Sequence, residues 1–171
     1  MSELVKNIKS MSESFFEEIR TCRRHLHQYP ELSFEEYQTA DFIENKLREI
    51  GIENIQRIAK TGVTFLLEGW GPGKNIALRA DIDALPILEK NGINYKSKFE
   101  GLMHACGHDV HTSCLIGVAK ILSQLKSEFK GSVKFIFQPG EEKTPGGASL
   151  LIKEGILKNP IPKTILGQHV M

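Results

Sequence analysis

The spacing of apolar residues changes several times along this chain, and no other feature of the sequence constrains the fold as strongly. Helical spacing predicts helices at 3–28, 109–129 and 148–153. A further helix is predicted to begin at an S-x-x-E capping box at Ser33 and to end at Gly51. Short apolar runs predict strands at 62–68, 75–80, 132–138 and 164–169. This alternation favours an α/β fold, in which helices flank a mixed sheet, over a helical bundle or a β-sandwich.

The first two predicted strands are joined by a segment rich in turn-forming residues, Gly69-Trp70-Gly71-Pro72-Gly73. We therefore expect 62–68 and 75–80 to form a hairpin or to lie side by side. Residues 81–107 are rich in polar residues and predict an irregular segment. Long irregular segments in compact domains often carry function.

The composition excludes several classes of partner. The chain has 171 residues, enough for one domain with a hydrophobic core, and its net charge of +1 gives no reason to expect nucleic acid or an anionic membrane. No apolar run approaches the ~20 residues of a membrane span, and the first residues lack the apolar stretch of a secretory signal. Three cysteines do not suggest a disulfide framework, so we expect a reducing, cytoplasmic location.

The segment HACGHDVH, residues 104–111, brings three imidazoles, a thiol and a carboxylate close together in the sequence. Donors of this mixture suit a borderline-soft divalent metal such as Zn²⁺, Mn²⁺ or Co²⁺. Gly107 lets the backbone turn tightly enough for Cys106 and His108 to reach one site. The surrounding residues favour metal binding over the alternative of a buried thiol beside a surface histidine.

Other residues around these motifs have less specific patterns. For His104 and His111, the sequence leaves ligand, supporting and packing roles open. Asp109 is a candidate partner for the second ring nitrogen of a ligand histidine. His25 and His27 lie at the end of the first predicted helix, where cations favour the helix dipole, so we expect structural roles for both.

An adjacent pair of carboxylates, Glu141 and Glu142, follows the predicted strand 132–138. A solvated charge pair is the ordinary interpretation of such a doublet. Here Pro139-Gly140 ends the strand sharply, and two adjacent carboxylates can face different targets at such a point. One carboxylate can ligate a metal while the other reaches an activated water, as metal-assisted hydrolysis requires.

Asp81 and Asp83 follow another predicted strand. A hydrogen-bonded turn and a carboxylate that orients a ligand or base are equally good interpretations of these two acids. Ligand sites in open α/β sheets gather at the carboxyl ends of strands. We therefore expect these acids, the Glu141-Glu142 pair and His169, which ends the last predicted strand, to meet at one edge of the sheet.

Five segments of the chain together resemble the M20 metallopeptidase family. In order, they are RRHLHQYPELSFEE, ALRADIDALPI, MHACGHDVHTS, FQPGEE and GQHVM. The match is to the amidohydrolase branch, which includes hippurate hydrolases, auxin-conjugate hydrolases and N-acyl-amino-acid deacylases. The resemblance covers essentially the whole chain, and its HACGHD and QP-x-EE blocks are highly specific.

This resemblance implies a centre of two divalent metal ions, Mn, Zn, Co or Ni, at the end of an α/β sheet. It implies that Glu141 is the general base and that Asp81 is the acid associated with the catalytic site. Arg79 stands where other M20 branches carry a histidine ligand, which matches the thiolate branch. The implied metal ligands are Cys106, His108, Glu142 and His169.

The resemblance also implies a function and a domain organisation. The expected activity is metal-dependent cleavage of the amide bond in N-acyl amino acids or related small conjugates, by a protein that forms a homodimer or a higher oligomer. Residues 1–171 correspond to the first segment of the catalytic domain, without the inserted lid or dimerisation domain and without the C-terminal catalytic segment that carries a further histidine ligand. An inactive fragment, a metal-independent cysteine hydrolase with Cys106 as nucleophile and a structural zinc module are the alternatives.

Overall fold

A computed structural model describes residues 2–170 as a five-stranded mixed sheet with helices on both faces. Met1 and Met171, the last residue of the GQHVM motif, lie outside the described residues. The helices are α1 (Glu3–Gln28), α2 (Tyr37–Glu49), α3 (His108–Gln124) and α4 (Gly147–Lys153). The strands are β1 (Gln56–Ile58), β2 (Gly62–Glu68), β3 (Asn75–Asp81), β4 (Ser132–Gln138) and β5 (Ile165–Gly167). The predicted α/β class is confirmed.

The strand order is β1-β2-β4-β3-β5. Strand β4 runs antiparallel to β2 and parallel to β3, and β5 is also parallel to β3. The prediction that 62–68 and 75–80 form a hairpin or lie side by side is therefore wrong, because β4 lies between them. The Gly69–Gly73 turn instead crosses the start of β4, where Gly69 N–H donates to the Gly131 carbonyl at 2.8 Å. The turn residues correctly predict a reversal of the chain but carry no information about which strand becomes the neighbour.

The central strand β4 divides the core into two layers. Val133, Phe135 and Phe137 pack into the larger cluster, with α2, α3 and the buried face of β2, while Ile136 points to the opposite face, toward α4. This alternation is the period-2 pattern of a strand buried on both sides. On the α4 side, the Lys134 ammonium donates to the carbonyls of Ile156, Lys158 and Pro160 at 2.7–3.0 Å. No helix within residues 2–170 is long and apolar enough to cross a membrane.

The predicted capping box at Ser33 is not formed. Helix α2 begins later, at Tyr37, with Glu36 as the residue before it. The Ser33 hydroxyl donates to the Asp83 carboxylate at 2.6 Å, and Glu36 is fully buried and accepts the Gly140 N–H at 2.7 Å. Both side chains thus form hydrogen bonds with residues far along the chain instead of capping α2. These partners are buried and depend on protein hydrogen bonds, whereas an exposed helix end can bind water. Their contacts attach the α1–α2 connection to the loops that follow β3 and β4.

Three parallel strands deliver their carboxyl ends to one edge of the sheet. Asp81 is the last residue of β3, Glu141 follows β4 and His169 follows β5. Helix α3, which connects β3 to β4, begins with His108 at the same edge. The expectation that these groups meet at one edge is confirmed.

Candidate metal centre

Three overlapping groups of potential ligand atoms lie at this edge, and His108 belongs to every one. The atoms of each group lie within 4.8 Å of one another. The groups are Cys106–His108–His169, Asp81–His108–His111 and His108–Glu141–Glu142. All six residues predicted for the site are among them, although they come from four separate parts of the sequence. His111, for which the sequence left several roles open, is the seventh.

His108 is buried, and its Nε2 atom faces the carboxylates of three residues. The distances from Nε2 are 3.7 Å to Asp81 Oδ2, 4.0 Å to Glu141 Oε2 and 3.8 Å to Glu142 Oε1. None of these is a hydrogen bond, and Nε2 has no hydrogen-bond partner among the described residues. A buried ring nitrogen without a partner, surrounded by oxygen donors at such distances, fits a coordinated cation between them.

The thiol of Cys106 completes the donor set. Its Sγ atom lies 3.4 Å from His169 Nε2, and His169 is exposed to solvent. Burial and the neighbouring Glu142 carboxylate raise the pKa of the Cys106 thiol to about 11. The only Lys or Arg that pairs with the three carboxylates, within residues 2–170, is Arg79 on Asp81. The site therefore has more carboxylate and thiol groups than cations to pair with them, and such a set of donors suits a divalent metal.

Asp81 is held from two sides. Its carboxylate accepts from Arg79 Nη1 at 2.6 Å and from the Nδ1 atom of His111. Burial alone would raise the pKa of Asp81, but the His111 hydrogen bond and the nearby charges of His108 and Arg79 hold it below its ordinary value. Asp81 is therefore a fixed negative charge beside His108.

The two other histidines of the motif have different surroundings. His111 uses both ring nitrogens, because its Nε2 atom accepts the Val170 N–H at 2.9 Å while Nδ1 faces Asp81. This bond ties the segment that carries His169 to α3. His104 lies outside the three groups, and burial lowers its pKa to about 4, which keeps the ring neutral.

The predicted partner of a ligand histidine, Asp109, lies elsewhere. Asp109 accepts from His27 Nδ1 at 2.7 Å and pairs with Arg23 at 2.8 Å. The Nδ1 atom of His108 instead faces the backbone carbonyl of Asp83 at 2.9 Å and its carboxylate at 3.2 Å. Asp109 is adjacent to His108 in sequence, but successive residues of a helix point about 100° apart, so the two side chains face different elements.

The His27–Asp109 pair predicts a pH dependence of stability. The Asp109 hydrogen bond raises the pKa of His27, against the effect of burial. The stabilisation is thus fully present below the unfolded-state pKa of about 6.5 and is lost as pH rises through the higher folded-state value. Substitution His27→Gln should cost about 1–3 kcal/mol of unfolding free energy at pH 6, and less above the folded-state pKa. Urea unfolding between pH 6 and 9 measures this difference.

His25→Gln is the matched control for this measurement. His25 lies on the same helix, but burial lowers its pKa, so its contribution has the opposite sign. A His27→Gln protein whose unfolding free energy keeps the pH dependence of the wild type would contradict the role of the pair.

Gly107 has a left-handed backbone with φ of +77°, at the start of α3 between Cys106 and His108. A Cβ atom there would lie 2.5 Å from Val170 Cγ2, beside His169. Gly107→Ala should therefore cost about 1–2 kcal/mol in backbone strain and should also displace the His169 segment from Cys106. Metal content and urea unfolding measure the two effects.

Gly101→Ala separates strain from displacement. Gly101 has a similar φ of +80°, but a Cβ atom there meets nothing within 4 Å. The control should lose stability and keep the metal content of the wild type. Equal metal content in both variants would show that Val170 does not position His169.

Comparison with known proteins agrees with this geometry. The model of peptidase family M20/M25/M40 matches residues 77–171, more than half of the chain. The chain belongs to this family. The M20 match contains most of β3 and all of α3, β4 and β5, the elements that carry the candidate metal centre.

Individual M20 relatives are similar over most of this chain. An N-acyl-L-amino acid amidohydrolase of Geobacillus stearothermophilus is 42% identical over 96% of this chain and 44% of its own length. An N-acetyl-L-cysteine deacetylase of Bacillus subtilis is 52% identical over 79% of this chain and 32% of its own length. The crystal structure of B. subtilis YxeP, described as a dinuclear metal-binding peptidase of family M20, matches with a TM-score of 0.87 and 44% identity. That match covers 93% of this chain and 44% of YxeP, so the chain spans less than half the length of each of these relatives.

Proposed function

We propose that the protein is a metal-dependent amidohydrolase that cleaves the amide bond of N-acyl amino acids or related small conjugates. The observation that carries this proposal is the convergence of three ligand groups on His108, whose Nε2 atom has no hydrogen-bond partner within residues 2–170. Membership of family M20 and the names of the two curated relatives support the reaction class and the substrate class.

The proposed metal ligands are side chains with the donor types that Zn²⁺, Mn²⁺, Co²⁺ or Ni²⁺ prefer: Cys106, His108, Glu142 and His169. Two metal ions in the site, as in the dinuclear YxeP, are part of this proposal. When bound, such cations make water more acidic and polarise a carbonyl group. All three cysteines of the chain are unpaired, which agrees with a reducing location such as the cytoplasm.

The general base in this proposal is Glu141. Its carboxylate is 41% exposed, the most open of the three carboxylates around His108, so it can reach a water molecule and a substrate. Glu141 takes a proton from water as the water oxygen bonds to the amide carbon. It then gives the proton to the nitrogen as the C–N bond breaks, which releases a carboxylic acid and an amine.

Asp81 keeps a fixed charge in this scheme. Because Arg79 and His111 already occupy its oxygens, Asp81 is poorly placed to exchange protons with a substrate. Its proposed role is to hold negative charge beside His108 and so favour a cation in the site.

A cysteine hydrolase is the competing proposal, and the contact of Cys106 with His169 gives it one supporting observation. A catalytic thiol needs a lowered pKa, whereas the surroundings of Cys106 raise its pKa. That mechanism also leaves Glu141 and Glu142 without a role.

One assay separates the two proposals. Purified protein is incubated with N-acetyl and N-benzoyl amino acids, and the released amino acid is measured with and without a metal chelator. We expect the chelator to abolish release and added Zn²⁺, Mn²⁺ or Co²⁺ to restore it. Release that survives the chelator and is lost on thiol alkylation supports the cysteine hydrolase instead. Metal-loaded protein that releases no amino acid contradicts the proposed function.

A further inference from the structure

We propose that Asp83 is a positioning residue for the metal centre, an inference that rests on the proposed function of the site. Asp83 connects His108 and Glu142, two of the proposed ligands, although it belongs to none of the three ligand groups. Through these connections it sets which nitrogen of His108 is free to ligate and where the Glu142 segment lies.

Asp83 is buried, with 1% of its surface exposed, and both of its carboxylate oxygens are engaged. Oδ2 accepts from the Ser33 hydroxyl at 2.6 Å and from the Glu142 N–H at 2.9 Å. Oδ1 lies 3.2 Å from His108 Nδ1, and the backbone carbonyl of Asp83 lies 2.9 Å from the same nitrogen. One residue therefore joins the segment before α2, the start of α3 and the loop after β4.

The contact with His108 determines the tautomer of its ring. Both oxygens of Asp83 that face Nδ1 are acceptors, so Nδ1 must carry the hydrogen. A neutral ring with its hydrogen on Nδ1 has a free lone pair on Nε2, the atom that faces Asp81, Glu141 and Glu142. The opposite tautomer would direct an N–H into the centre and could not ligate a metal there.

The contact with Glu142 fixes the position of a second proposed ligand. The Glu142 side chain lies in a loop after β4, and its backbone N–H is held by the same carboxylate that faces His108. Movement of Asp83 would therefore displace both ligands relative to each other. The Ser33 hydroxyl also donates to Oδ2, but it contacts neither proposed ligand in the described hydrogen bonds.

Substitution Asp83→Asn tests this role with little change in size. A carboxamide has one acceptor oxygen, so its NH₂ group must face either His108 Nδ1 or the pair of donors from Ser33 and Glu142. An NH₂ group that faces His108 opposes the Nδ1–H tautomer, because two donors then meet. An NH₂ group that faces Ser33 and Glu142 meets two other donors. We expect the dissociation constant for Zn²⁺ to rise by about 10–100-fold, the range typical for partners of metal ligands.

The first measurement is Zn²⁺ affinity, by competition with a chromophoric chelator, for the wild type, Asp83→Asn and Ser33→Ala. Ser33→Ala is the matched control, because it removes one partner of Asp83 and leaves the contacts to His108 and Glu142 in place. We expect the control to bind Zn²⁺ within about threefold of the wild type, a difference of well under 1.4 kcal/mol. Asp83→Asn protein that binds Zn²⁺ as tightly as the wild type would overturn the inference.

The second measurement is the tautomer of His108 in metal-free protein, from ¹⁵N spectra of the imidazole rings at a pH where the ring is neutral. His108→Gln assigns the signal. We expect the hydrogen on Nδ1 in the wild type and a larger share of the Nε2–H form in Asp83→Asn, a change that a purely structural role would not produce. A wild-type ring with its hydrogen on Nε2 overturns the inference, even if Asp83→Asn fails to fold.

The two measurements also separate this inference from the proposed function. A wild type that binds no Zn²⁺, Mn²⁺ or Co²⁺ contradicts the metal centre, while the difference in tautomer between the wild type and Asp83→Asn still decides whether the Asp83 carboxylate orients His108. A wild type that binds metal, together with an Asp83→Asn variant of unchanged affinity and tautomer, keeps the metal centre and rejects the role of Asp83.

Discussion

Substitution Glu141→Gln is expected to lower the turnover of N-acyl amino acids by about 10²–10⁴-fold, the usual contribution of a general base, while bound metal is retained. Glutamine has nearly the same shape as glutamate but cannot accept a proton at the attacking water. Glu141 is not among the proposed ligands, so the metal content should stay at the wild-type level. Steady-state kinetics and elemental analysis of the same preparation measure both quantities.

The neighbouring variant Glu142→Gln is the control for this prediction. It makes the same chemical change one residue away, but at a proposed ligand whose oxygen lies 3.8 Å from His108 Nε2. We expect it to lose metal as well as activity, and added metal should restore part of its turnover. Near-normal turnover in Glu141→Gln, or metal loss equal to that of Glu142→Gln, would reject the assignment of Glu141 as the base.

Substitution Cys106→Ala is expected to remove most of the tightly bound metal. A thiolate is the softest donor in the set, and only 3.4 Å separates its sulfur from His169 Nε2. Alanine leaves a gap on that side of the centre, so at least one metal ion per chain should be lost on dialysis. Elemental analysis of dialysed protein, with circular dichroism to confirm folding, measures the effect.

Cys114→Ala is the matched control, because Cys114 is an exposed thiol of the same chain outside all three ligand groups. It should keep the metal content of the wild type. Unchanged metal in Cys106→Ala would show that Cys106 is only a packing residue. Brief treatment with peroxide should likewise release metal from the wild type, and full metal retention after oxidation would count against a thiolate ligand.

Most elements of the fold could be predicted because their signals are local. Strands β2, β3 and β4 and helix α1 have apolar periods that are clear within their own lengths, and each lies within one residue of its predicted bounds. No sequence pattern predicts strand β1, because three residues, two of them exposed, are too few to show a period. The predicted helix from residue 109 ends at Gln124 rather than at 129, since the last turns continue as a 3₁₀ turn, Lys126–Glu128.

The errors concern partners that are distant in sequence. The S-x-x-E pattern at Ser33 describes only neighbours, whereas the Ser33 hydroxyl is used by Asp83, fifty residues away. Asp109 was a natural candidate to orient a ligand histidine, but the α1 residues Arg23 and His27 hold it instead. That the candidate site residues lie together could be predicted, because their chemical types are specific and most of them follow the ends of predicted strands. The residues that position them could not, since a hydrogen bond between remote segments leaves no pattern in one sequence.

The position of β4 in the middle of the sheet has a consequence for synthesis on the ribosome. Strands β2 and β3 emerge first, yet neither is the other's neighbour, and the edge that each presents to β4 stays unpaired until residues 132–138 have been made. Apolar strands with open edges are prone to pair with other chains. Helix α3 is made in this interval, and it can cover the apolar face of β3 but not the open edges. The yield of folded protein should therefore depend on how soon β4 is synthesised after β2 and β3. Slow elongation through the intervening residues, or a high concentration of unfinished chains, favours aggregation over folding.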